Sequence, residues 1–274
     1  MVILPLWALG DYVLFLNNDT EISERDWLSS LVDACEKDTR IAACQPKLCS
    51  LRNRSEFDYA GAAGGLLDIF GFPFALGRLF FSIERDEGQY DVSGEIFWAC
   101  GTAMFTRKSA LEEVGKFDED FFAHVEEIDL CWRFHLAGYR VISVPKAVVY
   151  HNAGSTLTTD SYLKVMLNHR NSLVMLLKNL SWKSLIWIFP IRILLEFVAI
   201  FYSLAKVDFV RFRAVLVSLG HIILNFKKII LKRKHVHRIR RISEKQLLQK
   251  MYRRSIVFDY FIKGIQKAQE LKRL

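Results

Sequence analysis

Two rhythms of apolar and polar positions divide the chain. Up to about residue 157, apolar runs of strand length alternate with amphipathic stretches and Gly-rich loops; from Tyr162 onward the spacing is helical. Tyr12–Leu16 is a short apolar run that predicts a buried strand, and it stops abruptly at Asn17-Asn18-Asp19. Glu24–Asp38 predicts an amphipathic helix with Trp27, Leu28, Leu31, Val32 and Cys35 on one face. Ile41–Pro46 predicts a second buried strand. Gly61–Arg78 reads as a Gly-punctuated loop, too apolar for a linker. Ile96–Arg107 reads as strand, Gly break and strand, followed by a short helix over Lys108–Val114. Glu126–Ala137 predicts a helix closed by Gly138, a favoured residue just past a helix C-terminus. Arg140–His151 reads as a strand, a proline interruption and a second strand. The alternation predicts an α/β domain over 1–157 and a helical region over 158–274.

The helical region holds the most apolar window of the chain, Leu185–Leu204, near the roughly 20 residues needed to span a bilayer. It also contains Pro190, Arg192 and Glu196. The two charges lie four residues apart, on one helix face, where they can pair. A charge at mid-bilayer costs several kcal/mol, so the favoured position is in or against the membrane interface, with a full span as the alternative. Ala214–Leu231 predicts a second amphipathic helix.

Composition bears this out in part. Hydrophobic residues make up 51% of the 274 and charged residues 25%, which excludes simple disorder. Net charge is +8, concentrated from Lys227 onward in KK, KRK and RIRR, and predicts an anionic partner surface. Beside apolar helices, that surface reads as the anionic leaflet of a membrane. A nucleic acid is a poor fit, because the basic residues lack interleaved aromatics. The five cysteines form no CxxC pair and read as reduced core thiols on a cytosolic face. The opening residues, MVILPLWALG, lack the basic start and cleavage site of a signal peptide.

Three polar clusters close strands or open helices. Asp19 is a hard oxygen donor at a strand's C-terminal edge, where α/β sheets place ligands, and it suits Mn2+ or Mg2+ better than zinc. A plain turn is the other reading of Asn17-Asn18-Asp19. Glu126, Glu127 and Asp129 fall in one helical turn. Their mutual repulsion predicts a raised pKa for at least one of them, useful in a general base; a helix N-terminus also favours acids on its own account. Arg133 lies four residues after Asp129 and can pair with it. His151 follows a β-rich run and is a second candidate metal ligand, with Gly154 allowing close backbone approach.

Taken together, these clusters resemble the family 2 glycosyltransferases of GT-A fold, in particular their bacterial rhamnosyltransferase-like branch. GDYVLFLNNDTEI resembles the strand ending in that family's DXD-type motif. WACGTAMFTRKSALEEVGKFDEDFF resembles its acceptor-side segment, EEIDLCWRFHLAGYRV its acidic motif, and VVYHNAGST its closing strand with a metal-binding His. The match covers about residues 9–157, and RNSLVMLLKNL with the helices after it also resembles this branch.

The resemblance implies a Rossmann-like GT-A sheet with a C-terminal helical, membrane-associated extension. It implies inverting transfer of a sugar from a nucleotide-diphosphate sugar, dTDP-rhamnose being one candidate, to a lipid-linked or polysaccharide acceptor in cell-surface glycan synthesis. Carried over by residue, Asp19 and His151 would hold a divalent metal, Mn2+ or Mg2+. Glu127 would be the catalytic base with Glu126 beside it; Glu stands where the family has Asp. Asn17 and Asn18 would line the nucleotide-sugar side, and Trp98 and Gly101 the sugar and acceptor pocket. Asp129 and Arg133 would serve substrate binding by bracing the loop. The implied location is the cytoplasmic face of the bacterial inner membrane, held peripherally by the C-terminal helices or inserted through 185–204. The family's domain opens with two βα units before this strand, and only about ten residues precede Asp11 here. The chain therefore reads as N-terminally incomplete. The alternative is a catalytically inactive, truncated remnant acting as a membrane-associated partner.

Overall fold

The structure is a computed structural model and describes residues 9–152 and 161–271. The first half is a mixed α/β unit. Its elements run β1 (Tyr12–Leu16), β2 (Thr20–Ile22), α1 (Trp27–Glu36), β3 (Ile41–Ser50), then four short strands, β4 (Gly65–Leu67), β5 (Pro73–Ala75), β6 (Arg78–Leu79) and β7 (Ser82–Ile83). There follow β8 (Ala103–Arg107), α2 (Lys108–Val114), α3 (Glu126–Leu136) and β9 (Arg140–His151). The main sheet has the order β1-β8-β3-β9-β2, with β3 and β9 parallel and the other pairs antiparallel.

The central position of β3 explains its near-complete burial. Its two buried polar residues are satisfied internally: Gln45 donates to the carbonyls of Gly61 and Ala62 and accepts from the Cys100 N–H, and Lys47 donates to Asp86 and Asp91. By contrast β1 is half-buried, with Leu16 41% exposed, because it lies at the sheet's edge against β8 alone. The expected Glu24–Asp38 helix is shorter, and Leu28 sits at the rim of its buried face. Pro145 does not end β9. The ladder jumps instead from Pro46↔Val144 to Lys47↔Val148, a bulge that absorbs the residue without an N–H.

Two stretches differ more. Gly61–Arg78 is no loop: with the residues just after it, it folds into a small antiparallel meander, β4-β5-β6-β7. Ile96–Cys100 is not a strand but touches its neighbours through single bridges at Glu95↔Ile142 and Gly65↔Trp98. The glycine at 65 is required there. A Cβ on it would come within 2.1 Å of the Trp98 ring, which lies flat against the backbone and donates to the Leu66 carbonyl.

The second half is helical: α4 (Tyr162–Asn179), α5 (Trp182–Ala205), α6 (Phe209–Leu224), α7 (Phe226–Arg238), α8 (Glu244–Gln249) and α9 (Ile256–Phe261). The single helix expected over Ala214–Leu231 is two, bent by 71° at Asn225, whose side chain caps back onto His221. The α5 helix buries a stripe at spacing four, Ser184, Ile188, Arg192, Glu196 and Ile200. Arg192 pairs with Glu196 as their spacing predicts, and the pair faces the protein, where Glu196 also meets His169 at 2.6 Å. The other face carries Ile186, Trp187, Leu194, Val198 and Phe201, all exposed.

Much of the basic run serves the fold. Lys228 and Lys232 pair with Asp120 and Asp118, buried Arg233 donates to the Leu177 carbonyl, and Arg240 and Arg241 pair with Glu244 and Glu113. The chain then returns to the small sheet, where Tyr252 exchanges backbone bonds with Leu67 and Ile69. All five cysteines are buried free thiols.

Candidate active site

The β2–β9 register builds the first part of the site. Thr20 stands opposite His151, and the Asn152 N–H donates to the Asp19 carbonyl, so a turn after β1 and the end of β9 meet. His151 Nε2 lies 3.3 Å from Asp19 Oδ1. On the other side of the ring, Nδ1 lies 3.0 Å from Oδ1 of Asp58, a buried carboxylate that also accepts the Ala60 N–H. Burial works against protonating the ring, but Asp58 and Asp19 outweigh it, and the His151 pKa is raised.

These residues fit a divalent cation. With Nδ1–H donated to Asp58, the Nε2 lone pair is turned toward Asp19, the tautomer a metal-binding histidine needs. The positive charge that the two carboxylates favour on the ring is one a cation can supply instead. Among the described residues no group of three or more His, Cys, Asp or Glu could hold a metal ion. A two-ligand protein site completed by substrate phosphates and water is the usual manner of Mg2+.

The acidic part is the start of α3. Glu126 and Glu127 line the same cavity as Asp19 and His151, a space of about 850 Å3. Each keeps one oxygen, Oε2, enclosed without a hydrogen-bond partner among the described residues. Burial first, and then the neighbouring Glu126, push the Glu127 carboxyl up to about 8. Burial raises Glu126 as well. The repulsion expected from the sequence thus falls on this pair. Asp129 goes the other way: burial opposes its ionisation, but Lys178 and Arg133 outweigh it.

The loop before α3 is strained. Phe122, His124 and Val125 have φ of 63°, 65° and 74°, left-handed values that cost a non-glycine residue roughly 1–2 kcal/mol each. Packing from α4 holds it. The buried Asn171 side chain donates to the carbonyls of Phe121, Ala123 and His124 at 3.0, 2.9 and 2.7 Å, and Arg170 donates to those of Asp120 and Phe121. Neither residue announces this role in the sequence, because their partners lie some 50 positions away. Asp58 is a third residue that sequence reasoning missed, for the same reason.

The remaining candidates separate. Asn17, Trp98 and Gly101 line the cavity. The Asn17 N–H donates to the Thr102 carbonyl, which ties the turn after β1 to the Gly101 segment. A Cβ on Gly101 would meet nothing within 4 Å, so the space beside it is open. Asn18 is exposed and does not line the cavity. Asp129 and Arg133 are buried behind it and also do not line it. Arg133 bonds Asp129 at 3.0 Å and donates to the carbonyls of Val114, Gly115 and Lys116, so the pair braces the turn after α2 and does not touch the cavity. The Gly154 expectation lies outside the described residues.

A family model described as glycosyl transferase family group 2 matches residues 12–226. The chain is 26% identical over 192 residues to an N-acetylglucosaminyl-diphospho-decaprenol L-rhamnosyltransferase of Mycobacterium tuberculosis, covering 67% of this chain and 60% of that one. It is 32% identical over 148 residues to the rhamnosyltransferase WbbL of Escherichia coli K12, covering 53% and 54% respectively. The match thus spans little more than half the length of these relatives. Among solved structures it is similar to GalNAc-T7 with UDP, GalNAc and Mn2+, with a TM-score of 0.44 and 15% identity over 61% of this chain and 31% of that one.

Proposed function

The chain belongs to glycosyl transferase family group 2, and from that premise we propose that it transfers a sugar, with inversion, from a nucleotide-diphosphate sugar to an acceptor hydroxyl. The observation that carries the proposal is the convergence of two chemistries on one cavity: the Asp19–His151 pair and the raised Glu127 carboxyl. Asp19 and His151 would hold Mn2+ or Mg2+, which supplies Lewis-acid stabilisation of a leaving diphosphate. Asp58 fixes the His151 ring for that task. Glu127 accepts the acceptor's proton as attack proceeds; a carboxyl near 8 is a strong base once ionised and stays close to neutral pH. Glu126 raises that pKa. A single base facing a single leaving group implies one displacement and inversion. Asn17, Trp98 and Gly101 shape the walls. The relatives are rhamnosyltransferases by name, which supports rhamnose as the sugar.

The acceptor in this reading is carried by a lipid. The inward Arg192–Glu196 pair and the outward apolar face of α5 suit a helix lying in the membrane interface. Exposed Lys183, Lys206, Arg213 and Lys227 flank that surface and complement anionic headgroups.

The test is a radiolabelled-sugar transfer assay with dTDP-rhamnose, a prenyl-diphospho-sugar acceptor and Mn2+, on the chain in vesicles containing phosphatidylglycerol. Transfer that disappears in both Asp19→Ala and Glu127→Ala is the expected result. Turnover unchanged in either variant sinks the mechanism, and absence of nucleotide-sugar binding in the parent chain favours the inactive-remnant alternative.

A further inference from the structure

Among the cations that line the same cavity, Arg78 and Lys164 are two that the reaction above does not use. Arg78 on β6 places its guanidinium carbon 4.3 Å from the centre of the Tyr59 ring, and Lys164 on the first turn of α4 places its ammonium 5.5 Å from the same centre. All three residues line the cavity. Neither cation has a carboxylate partner among the described residues. Arg78 Nε is enclosed with no hydrogen-bond partner there, and the side chain's one bond among them is a long one, 3.4 Å, from Nη1 to the Phe80 carbonyl. A guanidinium with an enclosed, unspent donor is costly unless a ligand takes it up. Two other charged side chains of the cavity are held by ion pairs: Arg192 by Glu196, and Asp118 by Lys178 and Lys232.

We propose that Arg78 and Lys164, held on Tyr59, form a subsite for the diphosphate of an amphiphilic acceptor, a prenyl-type diphosphate whose chain leaves over Phe72, Phe80 and Phe81. This rests on the lipid-linked acceptor of the proposed function and assigns residues to it. The chemistry of the wall separates this diphosphate from the donor's. The donor's charge would be met at Asp19 and His151 by a cation, whereas a second diphosphate in the same cavity needs charge of its own. The rings beside Arg78 are apolar, and Phe81 is 69% exposed at the mouth, which suits a hydrocarbon chain better than a nucleoside. A planar guanidinium takes phosphate oxygens in pairs, and the ammonium adds a mobile point charge.

The test is equilibrium binding to the full chain in EDTA, so that no cation bridges Asp19 and His151, with farnesyl diphosphate, farnesol and inorganic pyrophosphate as probes. The parent is expected to bind farnesyl diphosphate more tightly than either other probe. Arg78→Gln and Lys164→Gln should each weaken farnesyl diphosphate by about tenfold, leave farnesol unchanged, and leave dTDP with Mn2+ unchanged. Arg78→Lys, which keeps the charge and loses the fork, should fall between. Thermal melting controls for folding. A parent that binds farnesol as well as farnesyl diphosphate overturns the subsite. So does an equal loss of dTDP affinity in the variants, which would assign the two cations to the donor. Failure of the proposed reaction reads differently: no sugar is transferred, yet farnesyl diphosphate still binds through Arg78 and Lys164.

Discussion

The side-chain amide of Asn171 donates to the carbonyl of His124 at 2.7 Å, and this bond joins the helical half of the molecule to the residue that precedes the left-handed Val125 and the acidic start of α3. The same amide also reaches Phe121 and Ala123. Asn171→Ala should therefore leave three carbonyls of a strained loop without their donor. The expected outcome is a stability loss of roughly 1–3 kcal/mol by thermal melting. It should come with a kcat reduced by about tenfold or more and an unchanged KM for the nucleotide sugar. A stability loss with normal kcat would make the bond a brace only.

In the proposed mechanism Glu127 sets a pH dependence. Its carboxyl rises from the ordinary 4.5 to about 8, through burial and Glu126. The rate should climb with pH through an inflection near that value as the base ionises. Glu127→Gln should lower kcat by roughly 10²–10⁴-fold and remove the inflection.

Stability runs in the opposite direction. A carboxyl whose folded-state pKa is raised costs nothing below its unfolded value. It then destabilises progressively as pH rises to the folded one. Glu127→Gln should therefore match the parent near pH 4 and melt higher at pH 8 and above, with the gap opening between. Denaturant titrations at the two pH values measure it.

Asp58 touches His151 and not the cavity's contents. Asp58→Asn keeps the shape and removes the charge on Nδ1–H. Mn2+ affinity, read by activation of turnover and by the electron spin resonance of free Mn2+, should weaken by about 10–100-fold. Turnover at saturating metal should largely recover. Loss that metal cannot rescue would place Asp58 in a different role.

Gly101 offers the inverse case, a change the fold tolerates. A Cβ at this position has no neighbour within 4 Å, so Gly101→Val should melt like the parent, while the new side chain occupies the cavity and raises KM for donor, acceptor or both. Gly65→Ala is the contrast: its Cβ would meet the Trp98 ring at 2.1 Å, so folding itself should suffer.

How much of this the sequence discloses depends on the range of the interaction. Asn17–Asp19, Glu126–Glu127 and His151 are legible because each stands where a periodic run stops, and a polar residue there has few structural reasons to exist. The Asp129–Arg133 and Arg192–Glu196 pairs are legible from helical spacing alone. Asp58 is not, since it meets His151 across 93 residues through two sheet registers. The four short strands between Gly65 and Ile83 escape for a different reason: runs of two or three residues contain no period to detect. The break at Asn225 escapes because the residues on both sides keep a helical pattern and only the side-chain cap marks the stop.

The one-sided α5 has a kinetic consequence. With its charges turned inward and its apolar face outward, α5 in the proposed interfacial placement would confine the enzyme to a surface, and the concentration it senses would become an amount per area. Diluting a lipid acceptor with inert lipid at constant total amount should then slow turnover. Adding more vesicles of unchanged composition should not. The nucleotide sugar, arriving from water, would still obey ordinary volume concentration, so one cavity would be supplied by two searches of different dimension.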